Sequence, residues 1–574
     1  MHPELTGAQA LTRVLLGESV RHVYGIVGGK LSPLLHAVSQ EPALRYIGTR
    51  HEAAGPMMAA ATYAATGRLA VALAEMGPGG LNLISGLGVA FNNNLPLLAI
   101  TTNQHRAAAY PHNGMFMDLD TVAVSRPITK WNAVVHDARR IPEIARRAIR
   151  EALSGRPGPV HLDIPQDVLD QRCRYSESEF DLTPARYRFT GRIRPDADGV
   201  ARAVDVLADA RRPLIVAGGG VIASEAGEQI RQLAARLRCP VVPTQMALGV
   251  VSSDSPHFIG HGGLIAGPPI REAFAEADVI LSVGCRWSSW MWDEHGPLAR
   301  RTHRTIAINL DASALGHPAV HEVALQADAR AALGDLLSVG GERLSQGRDP
   351  AWLERMREAR RAHEKTLADL AADDAPAMHP AALAREIAAA FPRDALAVYD
   401  GGHTSFWSND LTPVHDVRTR FHEPGMSHLG FGLPYAMALK ASHPDRPVLH
   451  ITGDGSFGFS MNELDTARRY GLAVVTIIHN NESWGIIRAG QKSSRGFEFG
   501  TSLSGTDYAA IARGFGCHGE TVTTPAEVAP AMARALASGR PAVLDCRTAF
   551  VPHPCMPLFG SMNRYSFESL VPGG

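Results

Sequence analysis

The sequence predicts an α/β protein composed of three doubly wound parallel-sheet domains. Short apolar runs alternate along the chain with helical stretches rich in Ala, Arg and Glu, and this alternation is typical of parallel sheets with helices on both faces. The apolar runs form three groups of similar length, separated by polar segments near 175–198 and 340–378. We therefore expect domains at 1–183, 190–340 and 378–574.

The strand candidates are apolar runs bounded by Gly, Pro, Asn or Asp, as expected for buried parallel strands. They are VYGIVG, LAVALAEMG, LPLLAITTN and PVHLDIP in the first group, PLIVAGGG, CPVVPTQ, VILSVG and TIAINLD in the second, and LAVYDGG, VLHITGDG, AVVTIIHNN and PAVLDC in the third. The helix candidates include IPEIARRAIREAL, AGEQIRQLAARL and the charged WLERMREARRAHEKTLADLAADD. The tail after Cys546 has little periodicity, which leaves open either an ordered lid or a terminus without regular structure.

The composition excludes several classes of protein. The 574 residues include 56 Lys and Arg against 57 Asp and Glu, a formal charge of −1, so the chain has no global field for binding nucleic acid or an anionic membrane. No apolar run approaches the ~20 residues of a membrane-spanning helix, and the start MHPELTGAQALTR does not resemble a signal peptide. Six scattered cysteines without a CxxC pair suggest reduced thiols in a cytoplasmic protein.

The strongest local signal lies in the third group of strands. Gly453-Asp454-Gly455-Ser456 follows one strand candidate, and Asn480-Asn481 ends the next. The carboxyl ends of parallel strands meet at the ligand crevice, so Asp454 and Asn481 should lie together. Their oxygen atoms suit Mg²⁺, and the glycines allow the backbone to approach a diphosphate. The alternative is a chance Asp-Gly turn before a helix, which does not account for the Asn pair.

A second signal is Glu52, which follows Arg50-His51 and precedes the small, apolar stretch AAGPMMAAATYAATG. A glutamate at the start of a helix is usually solvated, but this stretch is expected to be buried. Because burying a carboxylate is costly without a partner, Glu52 is a candidate functional residue.

These motifs resemble those of thiamine diphosphate-dependent enzymes, in particular the acetolactate synthase, benzaldehyde lyase and 2-hydroxyacyl-CoA lyase branch. The resemblance covers all three domains. TRHEAA and GRPGPVHLDIPQDV resemble the pyrimidine-binding domain, PLIVAGGG and INLD the middle domain, and LGFGLP, GDGSFGFSMNELDTA and NNESWG the diphosphate-binding domain. The resemblance implies an enzyme that binds thiamine diphosphate and Mg²⁺.

The resemblance also implies roles for individual residues. Asp454, Asn481 and the backbone carbonyl of Ser483 would bind Mg²⁺. Glu52 would hydrogen-bond the aminopyrimidine ring and promote deprotonation of the thiazolium carbon, and burial would raise its pKa. Leu429 would be the bulky residue that bends the cofactor. The other expected cofactor contacts are Gly28, Gly79, Asn82, Gly401, Gly402, His403, Gly453, Gly455, Ser456, Asn481, Ser483, Trp484 and Gly485.

In this family the two cofactor-binding domains of one active site come from different subunits. The resemblance therefore implies that Glu52 reaches the cofactor of a partner chain. We expect a homodimer or homotetramer with active sites at the subunit interface.

Substrate choice depends on less specific positions. His112 and His428 are candidates for catalytic proton transfer. Met117 stands where many relatives carry Gln, and Gly490 stands where acetolactate synthases carry Trp, which suggests a roomier acceptor pocket. The FAD-associated pattern is replaced by the segment 287–293, so we expect no bound FAD. The expected substrate pocket is lined by Lys30, Asn113, Phe116, Met117, Phe406, Trp407, Trp484 and Ile487.

The leading functional hypothesis is a carbon–carbon carboligase or lyase for 2-oxo acids or 2-hydroxy ketones, with a small 2-oxo acid, aldehyde or acyl-CoA as substrate. The alternatives are a 2-hydroxyacyl-CoA lyase or oxalyl-CoA decarboxylase-type enzyme, and a 2-oxoacid decarboxylase. A non-catalytic protein that keeps the fold is disfavoured, because Glu52, Asp454 and Asn481 are all present. A nicotinamide oxidoreductase is disfavoured because AGGGVIA is not a GxGxxG motif.

Overall fold

The computed structural model describes residues 4–109, 112, 114–263, 266–288, 291, 303–316, 320–372 and 377–555. Within them, three parallel sheets are each flanked by helices, so the predicted fold class is confirmed. The exact domain boundaries at 183, 190, 340 and 378 stay predictions.

The first sheet has the strand order β3-β2-β4-β5-β7-β6, and β1 pairs with β8 in a separate antiparallel ribbon. The strands are β1 (Glu4–Thr6), β2 (His22–Gly25), β3 (Arg45–Gly48), β4 (Val71–Ala74), β5 (Leu98–Asn103), β6 (Trp131–Val134), β7 (Val160–Pro165) and β8 (Arg172–Arg174). The helices are α1 (Gly7–Gly17), α2 (Ser32–Ser39), α3 (Ala54–Thr66), α4 (Pro78–Asn92), α5 (Arg106–Ala109), α6 (Thr121–Ser125), α7 (Ile141–Leu153) and α8 (Gln166–Asp170).

The middle sheet has the order β10-β9-β11-β12-β13. Its strands are β9 (Pro213–Ala217), β10 (Val241–Pro243), β11 (Val279–Val283), β12 (Arg304–Asn309) and β13 (Val323–Gln326). The accompanying helices are α9 (Ala197–Asp209), α10 (Gly219–Ala223), α11 (Gly227–Leu237), α12 (Pro268–Glu276) and α13 (Ala329–Gly340), and α14 (Trp352–Ala371) is the predicted charged helix that leads to the third domain.

The third sheet has the order β15-β14-β16-β17-β19-β18. Its strands are β14 (Leu396–Tyr399), β15 (Arg420–Phe421), β16 (Val448–Gly453), β17 (Val474–Asn480), β18 (His518–Val522) and β19 (Ala542–Arg547). Its helices are α15 (Pro380–Ala389), α16 (His403–Leu411), α17 (Gly432–Ser442), α18 (Asp454–Phe457), α19 (Glu463–Arg469), α20 (Gly485–Arg495), α21 (Tyr508–Gly514) and α22 (Pro525–Ala537).

The predicted strand runs all overlap strands of these sheets, and the prediction missed strands mainly at the sheet edges. β3, β6, β13, β15 and β18 are edge strands without a matching apolar run. An edge strand is short and partly solvated, so its sequence does not form the continuous apolar run that identifies a central strand.

The first and third domains share one hydrophobic core. Helix α3 packs against α17, and both are buried along most of their length. Both helices are rich in Ala, Gly and Met, so their backbones can approach closely. The core cluster includes residues of both sheets, such as Tyr24 and Val398. The relative position of the two domains within one chain is therefore fixed by tight packing.

Several further sequence predictions concern the cysteines, the tail and membranes. All six cysteines are free and buried. The described part of the tail packs on the third domain, where the Trp407 indole donates to the Val551 carbonyl at 3.2 Å. Positions 556–574, which complete the predicted lid or terminus, lie outside the described residues. No helix in the described part of the chain is long and apolar enough to cross a membrane.

Candidate active site

A cavity of about 280 Å³ opens at the carboxyl edge of the third sheet. The segments that follow β14, β16 and β17 form its floor, because adjacent parallel strands all end on this side. Among the described residues, its lining comes entirely from positions 400–487. The predicted residues on this cavity are Gly401, Gly402, His403, Phe406, His428, Leu429, Gly453, Asp454, Gly455, Ser456, Asn481, Ser483, Trp484, Gly485 and Ile487.

Asp454 and Asn481 form an oxygen-rich corner of this cavity. Asp454 is buried, and its carboxylate accepts a hydrogen bond from the Ser483 amide at 3.2 Å. Burial raises the pKa of Asp454 to about 6. The Oδ1 atom of Asn481 is buried and has no hydrogen-bond partner within the described structure. Because an unpaired buried oxygen is costly, this corner fits a cation bound by a carboxylate, an amide oxygen and the Ser483 carbonyl.

The glycines of the GDG motif keep the cavity open beside an aromatic wall. A Cβ atom at Gly455 would lie 2.7 Å from the Trp484 ring, so only glycine fits there. The Ser456 hydroxyl donates to Asp400 at 2.6 Å, and the contact of Ser456 with a diphosphate stays a prediction.

His403 is one of two buried imidazoles in the described lining of this cavity, the other being His422. Neither ring nitrogen has a hydrogen-bond partner within the described structure. Burial lowers the pKa of His403 to about 4, so the ring is neutral at pH 7. A neutral imidazole can both donate and accept, and His403 can therefore hydrogen-bond a bound ligand.

The loop that carries His428 and Leu429 is organised by a buried carboxylate that sequence reasoning missed. Glu423 accepts hydrogen bonds from the Met426 amide at 2.6 Å, the His428 amide at 2.7 Å and the Asn93 side chain at 2.5 Å. Burial raises the pKa of Glu423 to about 7. Nothing in the sequence HEPG distinguishes this glutamate from a solvated turn residue.

The predicted residues of the first domain form a second group, around Glu52. The Asn82 side chain donates to the Glu52 carboxylate at 2.9 Å, and a Cβ atom at Gly79 would lie 3.3 Å from that carboxylate. Gly28 lies against the side chain of Glu75, which accepts from the Lys30 amide at 2.7 Å. Asn82 and Gly79, predicted as cofactor contacts, are therefore neighbours of Glu52. In a single chain Glu52 is only half-buried, so the expected burial is not reached there.

Met117, Phe116 and His112 extend this second group. Met117 packs against Gly77 at the start of α4 and has a φ of +62°, a strained conformation for a non-glycine residue. The Phe116 side chain is 80% exposed. His112 pairs with Asp118 at 2.5 Å. Asn113 lies outside the described residues.

Helix α4 separates the two groups of residues. Asn82, near its start, contacts Glu52, whereas Asn93, just after its end, contacts Glu423 on the cavity. At 1.5 Å per residue, these two asparagines lie about 16 Å apart. Within one chain, Glu52 and the cavity are therefore at opposite ends of a rigid helix.

The structure bears on two further sequence predictions, the place of Trp407 in the pocket and the absence of FAD. Trp407 does not line the cavity; its ring is buried behind it, 4.5 Å from the ring of His553, because the tail covers it. The absence of FAD stays a prediction, since most of the segment 287–293 lies outside the described residues. A separate cleft of about 360 Å³ lies between Gly219 and Arg286 of the middle domain and residues of the other two domains, such as Tyr63 and Arg418.

Three segments of the chain are similar to domains of known proteins. Residues 5–124, 200–336 and 400–546 match the N-terminal TPP binding domain, the central domain and the C-terminal TPP binding domain of thiamine pyrophosphate enzymes. The chain is 30% identical to the acetolactate synthase large subunit of Parasynechococcus marenigrum, over 94% of this chain and 87% of the relative. It is 32% identical to a probable 2-ketoarginine decarboxylase of Pseudomonas aeruginosa, over 90% of each. It is 29% identical to a glyoxylate carboligase of Escherichia coli O157:H7, over 93% and 91%.

The buried Glu423 predicts a pH dependence of stability. Its pKa is raised in the folded state from 4.5 to about 7, so the unfolded chain ionises first as the pH rises. We expect Glu423 to reduce the free energy of unfolding between about pH 4.5 and 7, by at most about 3 kcal/mol. Thermal melts from pH 5 to 8 should show a smaller decrease in Tm for Glu423→Gln than for the wild type. Glu358→Gln, at an exposed site on α14, is the control. The same change in Tm with pH for all three proteins would contradict this prediction.

Proposed function

Because this chain belongs to the thiamine pyrophosphate enzyme family, we propose that it uses thiamine diphosphate and Mg²⁺ as a carboligase or lyase of 2-oxo acids or 2-hydroxy ketones. The single observation that carries the proposal is the pairing of buried Asp454 with the unpartnered Asn481 oxygen at the ends of adjacent parallel strands. The six buried thiols suit a reducing compartment, so we propose a cytoplasmic location.

The residues of the cavity would divide the work of binding. Asp454, Asn481 and the Ser483 carbonyl would hold Mg²⁺, and the main chain at Gly455 and Ser456 would face the diphosphate. When bound, thiamine diphosphate would supply a nucleophilic carbon for addition to a carbonyl group and an electron sink for the carbanion left when CO₂ or an aldehyde departs. Leu429 would support the cofactor from below, and His403 would donate or accept one hydrogen bond.

Glu52 would hold the proton that activates the cofactor's aminopyrimidine ring. Asn82 fixes one oxygen of its carboxylate at 2.9 Å. In a closed, water-excluded site, the Glu52 carboxyl group would share a proton with the ligand ring.

A second copy of the chain would complete the site. Large apolar side chains are exposed near both groups of residues: Val27, Leu81 and Phe116 beside the Glu52 group, and Phe459 and Ile487 beside the cavity. Exposed apolar side chains gathered at two such places are typical of surfaces covered in an assembly. We propose a homodimer, or a homotetramer built from it, in which Glu52 of one chain faces the cavity of the next.

The chemistry of the cavity favours a small substrate. Phe406, Leu429 and Ile487 give it an apolar wall, and the described lining from this chain contains no Lys or Arg. A CoA ester would need cations for its phosphates. The cavity therefore supports 2-oxo acids or 2-hydroxy ketones better than acyl-CoA substrates, with Lys30 of the first-domain group available to a substrate carboxylate.

A panel of donors and acceptors tests this assignment. The purified protein with thiamine diphosphate and Mg²⁺ would be incubated with pyruvate, benzoylformate, benzoin and a 2-hydroxyacyl-CoA. Release of CO₂ and of aldehyde would be followed separately. We expect turnover of at least one of the first three compounds. Turnover of the CoA ester alone would replace the proposal by the 2-hydroxyacyl-CoA lyase alternative, and CO₂ release without ligation to any acceptor would favour a decarboxylase.

Replacing Glu52 by Gln should separate activation from binding. We expect Glu52→Gln to retain thiamine diphosphate after gel filtration but to lose turnover by about 10²- to 10⁴-fold, because it removes the proton transfer. Glu177→Gln, at an exposed position, is the control. Turnover close to that of the wild type would remove Glu52 from the mechanism.

Replacing Asp454 by Asn should instead weaken the binding of the metal and the cofactor. We expect Asp454→Asn to lose bound Mg²⁺ and thiamine diphosphate together, because the only carboxylate of the proposed ligand set is gone. Metal analysis and cofactor content after gel filtration measure this, with the exposed Asp445→Asn as the control. Full retention of both groups would refute the assigned metal ligands.

A further inference from the structure

The loop that leads into Glu52 is held by helix α19 of the same chain. The Gly48 amide donates to the Tyr470 hydroxyl at 2.8 Å, and Arg469 donates to the Gly48 carbonyl at 2.6 Å. The amides of Arg50 and His51 both donate to the carboxylate of Glu463, each at 3.0 Å. Residues more than 400 positions apart therefore fix the backbone immediately before Glu52.

Glu463 has the properties of a buried, fully engaged carboxylate. It is 1% exposed, and its second oxygen accepts a hydrogen bond from the Thr466 hydroxyl at 2.7 Å. Burial raises the pKa of Glu463 to about 6. The two amides and the hydroxyl compensate part of the cost of burying the group. The proposed function gives Glu463 no contact with cofactor or substrate.

The orientation of Glu52 depends strongly on this backbone. Its side chain is half-buried, and within the described residues its carboxylate accepts a hydrogen bond from Asn82. One flexible contact cannot fix both the position and the direction of a carboxylate. Misplacing a reacting group by about 1 Å can reduce the rate by about 100-fold. The hydrogen bonds that anchor the amides of Arg50 and His51 therefore control the position and direction of the Glu52 side chain.

We propose that Glu463 is a positioning residue that orients Glu52 of its own chain toward the active site completed by the neighbouring chain. This inference rests on the proposed function, in which Glu52 serves the partner's cofactor. Glu463 follows Asp454 by nine positions. Each chain's diphosphate-binding segment thus positions the glutamate that serves the other active site rather than its own.

The first test measures cofactor activation directly. We expect Glu463→Ala to reduce kcat and the rate of hydrogen–deuterium exchange at the thiazolium carbon of bound thiamine diphosphate, both by about 10- to 100-fold. The KM and the cofactor content should change little. Glu463→Gln, which keeps one oxygen for the two amides, should restore part of the exchange rate. Asp465→Asn is the matched control, because Asp465 lies on the same helix but its carboxylate pairs with the side chains of Arg50 and Arg469 rather than with main-chain amides of the loop.

The outcome that overturns the proposal is equally direct. Wild-type exchange rates in Glu463→Ala, or in Glu463→Gln if the alanine variant is insoluble, would exclude a positioning role. A loss of cofactor content that matches the loss of exchange would instead assign Glu463 to cofactor binding in its own chain.

Mixed dimers, purified through two different affinity tags, determine which active site Glu463 affects. A chain carrying both Glu52→Gln and Glu463→Ala, paired with a wild-type chain, should keep about half of the wild-type activity, because both changes affect the same site. A Glu52→Gln chain paired with a Glu463→Ala chain should fall well below half, since its only intact Glu52 is then unsupported. Activity well below half in the first dimer with about half in the second, or equal activity in both dimers, would overturn the proposal.

Two further mixed dimers separate this inference from the proposed function. A Glu52→Gln chain paired with a wild-type chain should keep about half of the wild-type activity, as expected from two independent sites in a symmetric dimer. A Glu52→Gln chain paired with an Asp454→Asn chain should also keep about half, because both changes then affect the same shared site, and loss of nearly all activity in this dimer would contradict the shared active site. The expected values in these two dimers, combined with a contrary result in the two dimers that carry Glu463→Ala, would contradict only the role of Glu463.

Discussion

The packing of α3 against α17 is the constraint on which the rest of the structure depends. It joins the first and third domains into one core, and thereby fixes the direction in which each domain presents its functional residues. Helix α4 extends from Glu52 to the edge of the cavity and keeps the two apart. The chain therefore holds two groups of functional residues at opposite ends of α4, which supports the proposal that a second copy completes the site.

Buried carboxylates bonded to main-chain amides recur at the places where geometry matters most. Asp454 accepts from the Ser483 amide, Glu423 from the amides of the loop that carries Leu429, and Glu463 from those of Arg50 and His51. In each case burial raises the pKa of the acid, while the amides lower the cost of its charge. The three acids therefore fix the corner formed by Asp454 and Asn481, the loop that carries Leu429 and the approach to Glu52.

The sequence predicted the central part of the fold and the centre of the cavity. Central strands are buried on both faces, so they form continuous apolar runs that can be recognised without a structure. The edge strands β13 and β18 lack this signature. Asp454 and Asn481 could be paired in advance because two parallel strands that neighbour each other in the sheet end on the same side. The contact of Trp407 with the tail could not, since nothing local marks position 551 as its partner.

By itself, the sequence determined which residues follow the strand ends, because strand periodicity and glycine placement are local properties of the chain. Only the tertiary structure decided that Glu52 stays half-exposed and that Glu423 and Glu463 are buried. The contact of Glu463 with Arg50 and His51 joins residues more than 400 positions apart. Such contacts arise from the packing of whole domains, and the same glutamate in a different packing would be an ordinary solvated side chain.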